Sequence, residues 1–352
     1  MSISMKELAK KINVSPSTVS RVINGNKNVS PETYKLVMDA VEKYNYIPNE
    51  AARNLKSCQS STVGILVSDL SNSFYTSIIA GAEAELKSHG YSIILSNYNE
   101  DYYQQIAYTK LMLSRNVAGL IMSPSGDSRP YYDIFTGTSV PIVYVDTYPA
   151  DRPDCDCVMI DNSTAAYRLA NHMIDMYGDD IFILSTHEGY SMTDGTHTSD
   201  LRYNAIKQAF SDRGLSVRSG FEYTSEKSSY SAGYEYIDRL LRDGLRPRAI
   251  LSTSNNITYG AIAAISDFGL VVPSDIAVAC FDATDPTGLV RPRITSINQP
   301  SCKMGELAAR LLLERIANPD DHFSQKVMVD PIFEIQESCG YTEYLRRRDA
   351  YK

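Results

Sequence analysis

The sequence predicts an α/β protein in which a three-helix head precedes a two-lobed body of doubly wound parallel sheets. Helical apolar spacing and two serine-proline helix starts occur near the beginning of the chain. The remainder alternates short, continuous apolar runs with amphipathic stretches, which is typical of buried parallel strands covered by helices. At 352 residues the chain exceeds the size of one hydrophobic core. We therefore expect a head at residues 1–57 and a body at residues 62–340.

The first helix of the head is predicted over residues 5–12. Ser4 and Glu7 form the S-x-x-E capping box, in which each residue satisfies a backbone N–H of the other. Four apolar residues then fall on one helical face: Met5, Leu8, Ala9 and Ile12.

The second helix of the head carries the first candidate functional residues. Ser15 is its expected N-cap and Pro16 its first residue, because a proline there loses no hydrogen bond, and Gly25 is its expected stop. The outward face carries short polar side chains and one arginine: Ser17, Arg21 and Asn24. A third helix begins in the same way at residues 30–31, which completes a helix-turn-helix.

This outward face suits the major groove of DNA, which admits one helix whose N-terminal side chains reach base edges. Ser17 and Thr18 can bond bases or phosphates, and Arg21 can reach O6 and N7 of a guanine. The same pattern also fits a capped bundle with a solvated polar face, and periodicity alone does not separate the two. Charge favours DNA only weakly: residues 1–60 carry nine Lys/Arg and five Asp/Glu, and the remainder 25 and 37.

A short helix is predicted between head and body, within residues 49–57. Asn49 can cap it, but seven residues are too few for a helix that is stable alone in water. Leu55 lacks an obvious core and lies beside Lys56, a composition that fits a wedge in the DNA minor groove. The alternative is an ordinary interdomain linker.

Eight apolar runs predict the strands of the body: "VGILVSD", "SIILSNY", "VAGLIMS", "PIVYVD", "CVMID", "DIFILST", "AILSTSN" and "IAVACFD". Ligands of open α/β sheets bind at the carboxyl ends of strands. The candidates there are residues that bond hydroxyl groups or stack on a ligand: Phe74, Tyr75, Asp146, Arg202, Asn255 and Asp282. Taken singly, aspartates and asparagines at such ends also cap helices and form turns.

Other classes of site lack sequence support. The six cysteines have no paired metal spacing, and no phosphate-binding glycine loop or nucleophile elbow follows a strand, so we expect no metal, no cofactor and no catalytic residues. His187 and His197 are expected in a surface loop. The sequence has no signal-peptide pattern and no membrane-length apolar run, so we expect a cytoplasmic protein.

Three ordered motifs resemble the lac repressor (LacI/GalR) family of bacterial transcription regulators: "MKELAKKINVSPSTVSRVINGNKNVSPET", "YIPNEAARNLK" and "VGILVSDLSNSFY". The resemblance extends, more loosely, to "EIQESC" and so covers essentially the whole chain. It implies a recognition helix that contacts DNA through Pro16, Ser17 and Arg21, and a hinge helix whose Leu55 enters the minor groove beside Lys56.

The resemblance also implies an effector pocket between two lobes similar to periplasmic sugar-binding proteins, lined by the six strand-end candidates. Two positions depart from the family pattern: Ser73 replaces a proline and Asn256 an aspartate. We expect lobes of residues 62–161 plus 293–322 and of residues 162–292 plus 323–340.

The sequence thus predicts a homodimeric repressor that binds double-stranded operator DNA and a small polar effector, with a sugar or sugar derivative favoured, and no membrane partner. Two alternatives share the body: a sugar-binding protein, and an enzyme acting on a sugar or nucleoside. The first would need a signal peptide and no head, and the second would turn over its ligand.

Overall fold

The computed structural model describes residues 3–23, 29–46, 60–124, 133–135, 137–148, 154–186, 198–283, 291–320 and 323–342. The chain forms two compact units, Met1–Ser60 and Ser61–Lys352, which correspond to a head and a body.

The head contains the three expected helices: α1 (Met5–Lys11), α2 (Pro16–Ile23) and α3 (Pro31–Lys43). The capping box forms, since Glu7 N donates to Ser4 Oγ and Ser4 N to the Glu7 carboxylate, which lowers the pKa of Glu7. Ser15 caps α2 by accepting from Thr18 N, and Ser30 caps α3 by accepting from Thr33 N. The expected stop at Gly25 and the expected helix within 49–57 lie outside the described residues.

The head has its own small core, built from one apolar face of each helix. Its buried residues are Leu8, Ala9, Val19, Val22, Val37, Ala40 and Tyr46. Val19 and Val22 face inward as predicted, which leaves the polar face of α2 outside the core.

The first lobe of the body is a six-stranded sheet with the strand order β11-β5-β4-β3-β1-β2, in which every pairing is parallel. Its strands are β1 (Thr62–Val67), β2 (Ser92–Asn97), β3 (Gly119–Met122), β4 (Ile142–Val145), β5 (Asp156–Met159) and β11 (Lys326–Met328). Its helices are α4 (Ser73–Ser88), α5 (Tyr102–Ser114) and α10 (Ser301–Ala317).

The second lobe repeats this plan with the strand order β12-β10-β9-β8-β6-β7, in which only β12 is antiparallel among the described strands. Its strands are β6 (Ile181–Thr186), β7 (Glu222–Ser225), β8 (Ala249–Ser252), β9 (Ala277–Phe281), β10 (Thr295–Asn298) and β12 (Ile332–Glu334). Its helices are α6 (Asn162–Tyr177), α7 (Thr198–Asp212), α8 (Tyr230–Arg242) and α9 (Asn255–Asp267).

Each lobe contains one pair of helices packed backbone to backbone through glycines. In the first lobe α4 and α10 pack so closely that a Cβ on Gly81 would lie 1.9 Å from the Cys302 carbonyl oxygen. In the second lobe α8 and α9 do the same, and a Cβ on Gly260 would lie 1.9 Å from the Tyr230 carbonyl oxygen. Only glycine allows helix backbones to approach this closely.

The chain crosses between the lobes three times, and the expected lobe limits were wrong at two crossings. The first crossing follows β5, near Ile160. The second lies at Gln299 and Pro300, after β10 has joined the second sheet, and not near residue 292. The third lies between β11 and β12, after residue 328 and not near residue 323, because β11 completes the edge of the first sheet.

Candidate functional site

The outward face of α2 is the candidate surface of the head. Pro16, Ser17 and Arg21 are exposed and Thr18 is half-buried. The hydroxyls of Ser17 and Thr18 lie 2.6 and 2.8 Å from Ser15 Oγ, so the N-cap also orients the polar side chains of the first turn. The face therefore presents hydroxyl groups at the start of the helix and one guanidinium a turn further on.

Three further residues predicted to contact DNA lie outside the described residues: Asn24 of the second helix, and Leu55 and Lys56 of the expected hinge helix.

Two aspartates occupy equivalent positions in the two lobes of the body. Asp146 follows β4 and Asp282 follows β9, and each strand is fourth from the β2 or β7 edge of its sheet. Both backbones are left-handed, with φ of 72° and 55°, and both side chains are buried. This conformation is unfavourable for a residue with a Cβ and is concentrated at functional sites, where the surrounding structure holds it in place.

Gln299 joins these two aspartates at the second crossing. Its Nε2 donates to Asp282 Oδ2 at 3.0 Å and to Asp146 Oδ1 at 3.4 Å, and its backbone N donates to Asp282 Oδ1 at 2.9 Å. One amide of the crossing segment therefore holds a carboxylate of each lobe.

Arg202 is buried in the second lobe and orients Asp282. Its Nε donates to Asn162 Oδ1 at 2.8 Å and its Nη1 to the Thr253 carbonyl at 2.9 Å, while its Nη2 lies 3.7 Å from Asp282 Oδ2. The guanidinium also lies 4.0 Å from the ring centre of Phe281. Burial raises the pKa of Asp282, and this is opposed by Arg202 and the bonds from Gln299.

Asn255 connects the lobes at a second point. It begins α9, and its side chain exchanges two hydrogen bonds, of 3.0 and 3.2 Å, with the side chain of Asn72, which caps α4 of the first lobe. Asn255 Nδ2 also donates to the Asp282 carbonyl, and the neighbouring Asn256 donates to Asp69 Oδ2 at 3.2 Å. The strand ends of both lobes are thus joined by side-chain amides.

Phe74 and Tyr75 lie beside this contact, in the first turn of α4. Both rings are buried and pack edge to face, with centroids 5.1 Å apart. They belong to the apolar core that also includes Ile78 and Val67.

We call the connected polar side chains the interlobe network: Asp69, Asn72, Asp146, Asn162, Arg202, Asn255, Asn256, Asp282 and Gln299. Four of the predicted effector residues belong to it. Sequence reasoning missed the contributions of Asn72, Asn162 and Gln299. Asn72 and Asn162 both stand at the start of a helix that follows a strand, which is a usable sequence signal, whereas nothing local marks Gln299.

The described residues contain no group of three or more His, Cys, Asp and Glu side chains placed to hold a metal ion. Burial raises the pKa of the Cys280 thiol to about 12, so this sulfur stays protonated at neutral pH. None of the described helices is long and apolar enough to cross a membrane. His187 and His197 lie outside the described residues.

Residues 4–49 match the family described as bacterial regulatory proteins of the lacI family, and residues 181–339 match the periplasmic binding protein-like domain. The chain is 31% identical to catabolite control protein A of Priestia megaterium over 89% of this chain and 92% of that protein. It is 29% identical to the ribose operon repressor of Haemophilus influenzae over 95% and 98% of the two chains. The protein belongs to the LacI family of transcription regulators.

Further relatives and solved structures agree with this assignment. The HTH-type transcriptional repressor PurR of Actinobacillus pleuropneumoniae is 31% identical over 89% of this chain and 90% of its own. The lac repressor dimer bound to operator and an anti-inducer has the same fold, with a TM-score of 0.79, 22% identity and coverage of 96% and 99% of the two chains. These relatives are transcriptional regulators and not enzymes.

Proposed function

We propose that this protein is a transcriptional repressor whose affinity for an operator is controlled by a small polar effector bound between the two lobes of its body. The observation that carries the proposal is the hydrogen-bond bridge from Asp146 through Gln299 to Asp282, which ties the two lobes together where the chain crosses between them. A ligand that enters this network changes the free energy of one lobe arrangement relative to another, which is the requirement for allosteric control.

The DNA-binding part of the proposal rests on α2. Pro16, Ser17 and Arg21 are exposed on its first turn and outer face, Thr18 is half-buried beside them, and the head has a net excess of basic residues. We assign base or phosphate contacts to these side chains and to Asn24. We assign minor-groove contacts to Leu55 and Lys56, as the family resemblance implies.

The effector part rests on the strand-end residues. Asp146, Arg202, Asn255 and Asp282 supply buried carboxylates, an amide and a guanidinium, the groups that bind small polar molecules through several hydrogen bonds. Phe74 and Tyr75 supply the apolar wall beside them. A sugar or sugar derivative is the favoured class of effector.

The assembly is proposed to be a homodimer, because two heads related by a two-fold axis match an operator with two half-sites. We also propose that it acts in the cytoplasm, where a bacterial operator is located. The lac repressor, which shares this fold, is named as a dimer bound to operator.

The test begins with selection of bound duplexes from a random DNA library by the full-length protein. An inverted repeat among the recovered sequences, bound with an affinity that falls steeply with salt, supports the proposal. Fluorescence anisotropy then measures the affinity for that duplex with and without each sugar of a panel. Selection that recovers no common sequence would refute the regulator, and operator affinity that no small molecule alters would refute the effector control.

A further inference from the structure

Among the described members of the interlobe network, carboxylates outnumber cations. Three of its described side chains are carboxylates, Asp69, Asp146 and Asp282, and one, Arg202, is a cation. Asp146, Asp282 and Arg202 are all at least nine-tenths buried, so their charges are poorly screened by solvent. Arg202 lies 3.7 Å from Asp282, so the described network combines three carboxylates with one guanidinium.

Two buried polar atoms of the network have no hydrogen-bond partner among the described residues: Gln299 Oε1 and Asn162 Nδ2. Gln299 and Asn162 are 4% and 2% exposed, which places both atoms beyond the reach of bulk water. Burying such an atom without a partner is unfavourable, and most such atoms in proteins are paired.

The orientation of both amides follows from their neighbours. The Gln299 amide must turn its NH₂ toward Asp146 and Asp282, because the opposite orientation would place a carbonyl oxygen against two carboxylates. The Asn162 amide must turn its oxygen toward Arg202 Nε, which only donates. The unpartnered atoms are therefore one acceptor, on Gln299, and one donor, on Asn162.

We propose, building on the effector site described above, that the effector is an uncharged molecule rich in hydroxyl groups, and that Gln299 and Asn162 select it against phosphorylated and carboxylated forms. A hydroxyl group donates to Gln299 Oε1 and to the carboxylates, and it accepts from Asn162 Nδ2. A fully ionised phosphate or carboxylate group only accepts, so it leaves the Gln299 oxygen unsatisfied and places a further negative charge beside the carboxylates of the network.

The test uses matched pairs of probes with the full-length protein, measured by calorimetry and by thermal shift. The pairs are neutral hexoses, pentoses and disaccharides, each set beside its sugar phosphate or its aldonic or uronic acid. We expect at least one neutral member to bind and its anionic partner to bind at least about tenfold more weakly. An anionic member that binds as tightly as its neutral partner overturns the inference, and so does a panel in which no neutral member binds.

Two conservative variants test the assigned residues. Asn162→Asp keeps an acceptor for Arg202 but removes the Nδ2 donor, so we expect weaker binding of the neutral sugar by a variant that still unfolds cooperatively. Asp69→Asn removes the carboxylate of a half-buried residue of the network while keeping an acceptor for Asn256. We therefore expect a smaller preference for the neutral member of each probe pair. Unchanged affinity in the first variant and unchanged preference in the second would show that these groups are only structural.

The operator experiment separates this inference from the proposed function. If a sugar phosphate or sugar acid alters operator affinity, the proposed regulatory function is supported and the proposal of an uncharged effector is refuted. If the protein binds neutral sugars but selects no DNA sequence, the proposal of an uncharged ligand is supported and the proposed repressor function is refuted.

Discussion

Asp146 and Asp282 are buried at equivalent strand ends of the two lobes, and both accept a hydrogen bond from the same nitrogen, Nε2 of Gln299. Two carboxylates in a poorly solvated region repel each other, and a shared amide donor offsets that repulsion. At this crossing, one neutral side chain joins the buried carboxylates of the two lobes.

Replacing Gln299 by glutamate should therefore weaken the body. The Gln299→Glu variant places a third carboxylate between Asp146 and Asp282 and removes the donor, and we expect the free energy of unfolding at pH 7 to fall by about 1–3 kcal/mol. Urea unfolding followed by circular dichroism measures the change. Lys303→Gln, on the exposed side of α10, is the control and should match the parent protein within about 0.5 kcal/mol. Equal stability of the two variants would refute the bridging role.

Arg21 should affect DNA binding without affecting the fold of the head. Its side chain is exposed, whereas its neighbours Val19 and Val22 form the core, so Arg21→Ala removes a contact to DNA and no packing. We expect operator affinity to fall by about 1–3 kcal/mol, with a reduced preference at one base position if the contact is to a guanine. Anisotropy titrations measure both quantities. Lys35→Ala, on the exposed side of α3, should have the smaller effect, and the reverse order would contradict the assignment of α2.

The glycine contacts between α4 and α10 predict that Gly305→Ala destabilises the protein, although helix propensity alone predicts that it stabilises the helix. Helix propensity alone predicts that Gly305→Ala stabilises α10 by about 1 kcal/mol. A Cβ there would lie 1.9 Å from the Ile78 carbonyl oxygen, so the helices must separate, and we expect a net loss of about 1–3 kcal/mol. Thermal unfolding decides the sign. The exposed Ala80→Gly in α4 should cost about 1 kcal/mol by propensity, and a stabilised Gly305→Ala protein would contradict the close packing.

His172 should make the body less stable in acid. Burial lowers its pKa, against an opposing effect of Asp175, and its Nε2 lies 3.4 Å from Cys339 Sγ. Because the folded state resists protonation of this imidazole, the unfolded state binds more protons below about pH 6.5, and the free energy of unfolding falls as the pH is lowered. His172→Gln should reduce this slope between pH 6.5 and 5 in denaturant titrations. Parallel curves for the parent protein and the His172→Gln variant would refute the prediction.

Local sequence signals were sufficient for the head and for most of the sheets. The capping box at Ser4 and the serine-proline starts determine where helices begin, and continuous apolar runs determine the central strands. The same signals missed β10, where Thr295 and Ser296 are buried although they are polar. Thr295 is satisfied by distant partners, since its backbone N donates to Ser338 Oγ and its hydroxyl to the Gln336 carbonyl. A pattern of hydrophobicity cannot register such contacts.

The residues of the candidate site were likewise predictable from the sequence only in part. Asp146 and Asp282 were predictable, because each ends a recognisable apolar strand. Gln299 was not, since its two carboxylate partners lie 153 and 17 residues away and the crossing that carries it was expected about seven residues earlier. The position of a residue between two lobes depends on strand order, which the sequence pattern does not contain.

The threefold crossing of the chain has a consequence for synthesis. The head is contiguous, and its 60 residues are complete before any strand of the body has left the ribosome. Neither sheet is complete until its edge strand has been made, at residue 328 for the first and residue 334 for the second. Since domains generally fold as they emerge, a nascent chain acquires its folded head long before its body is complete. Prematurely terminated chains would therefore carry a folded head without a complete body.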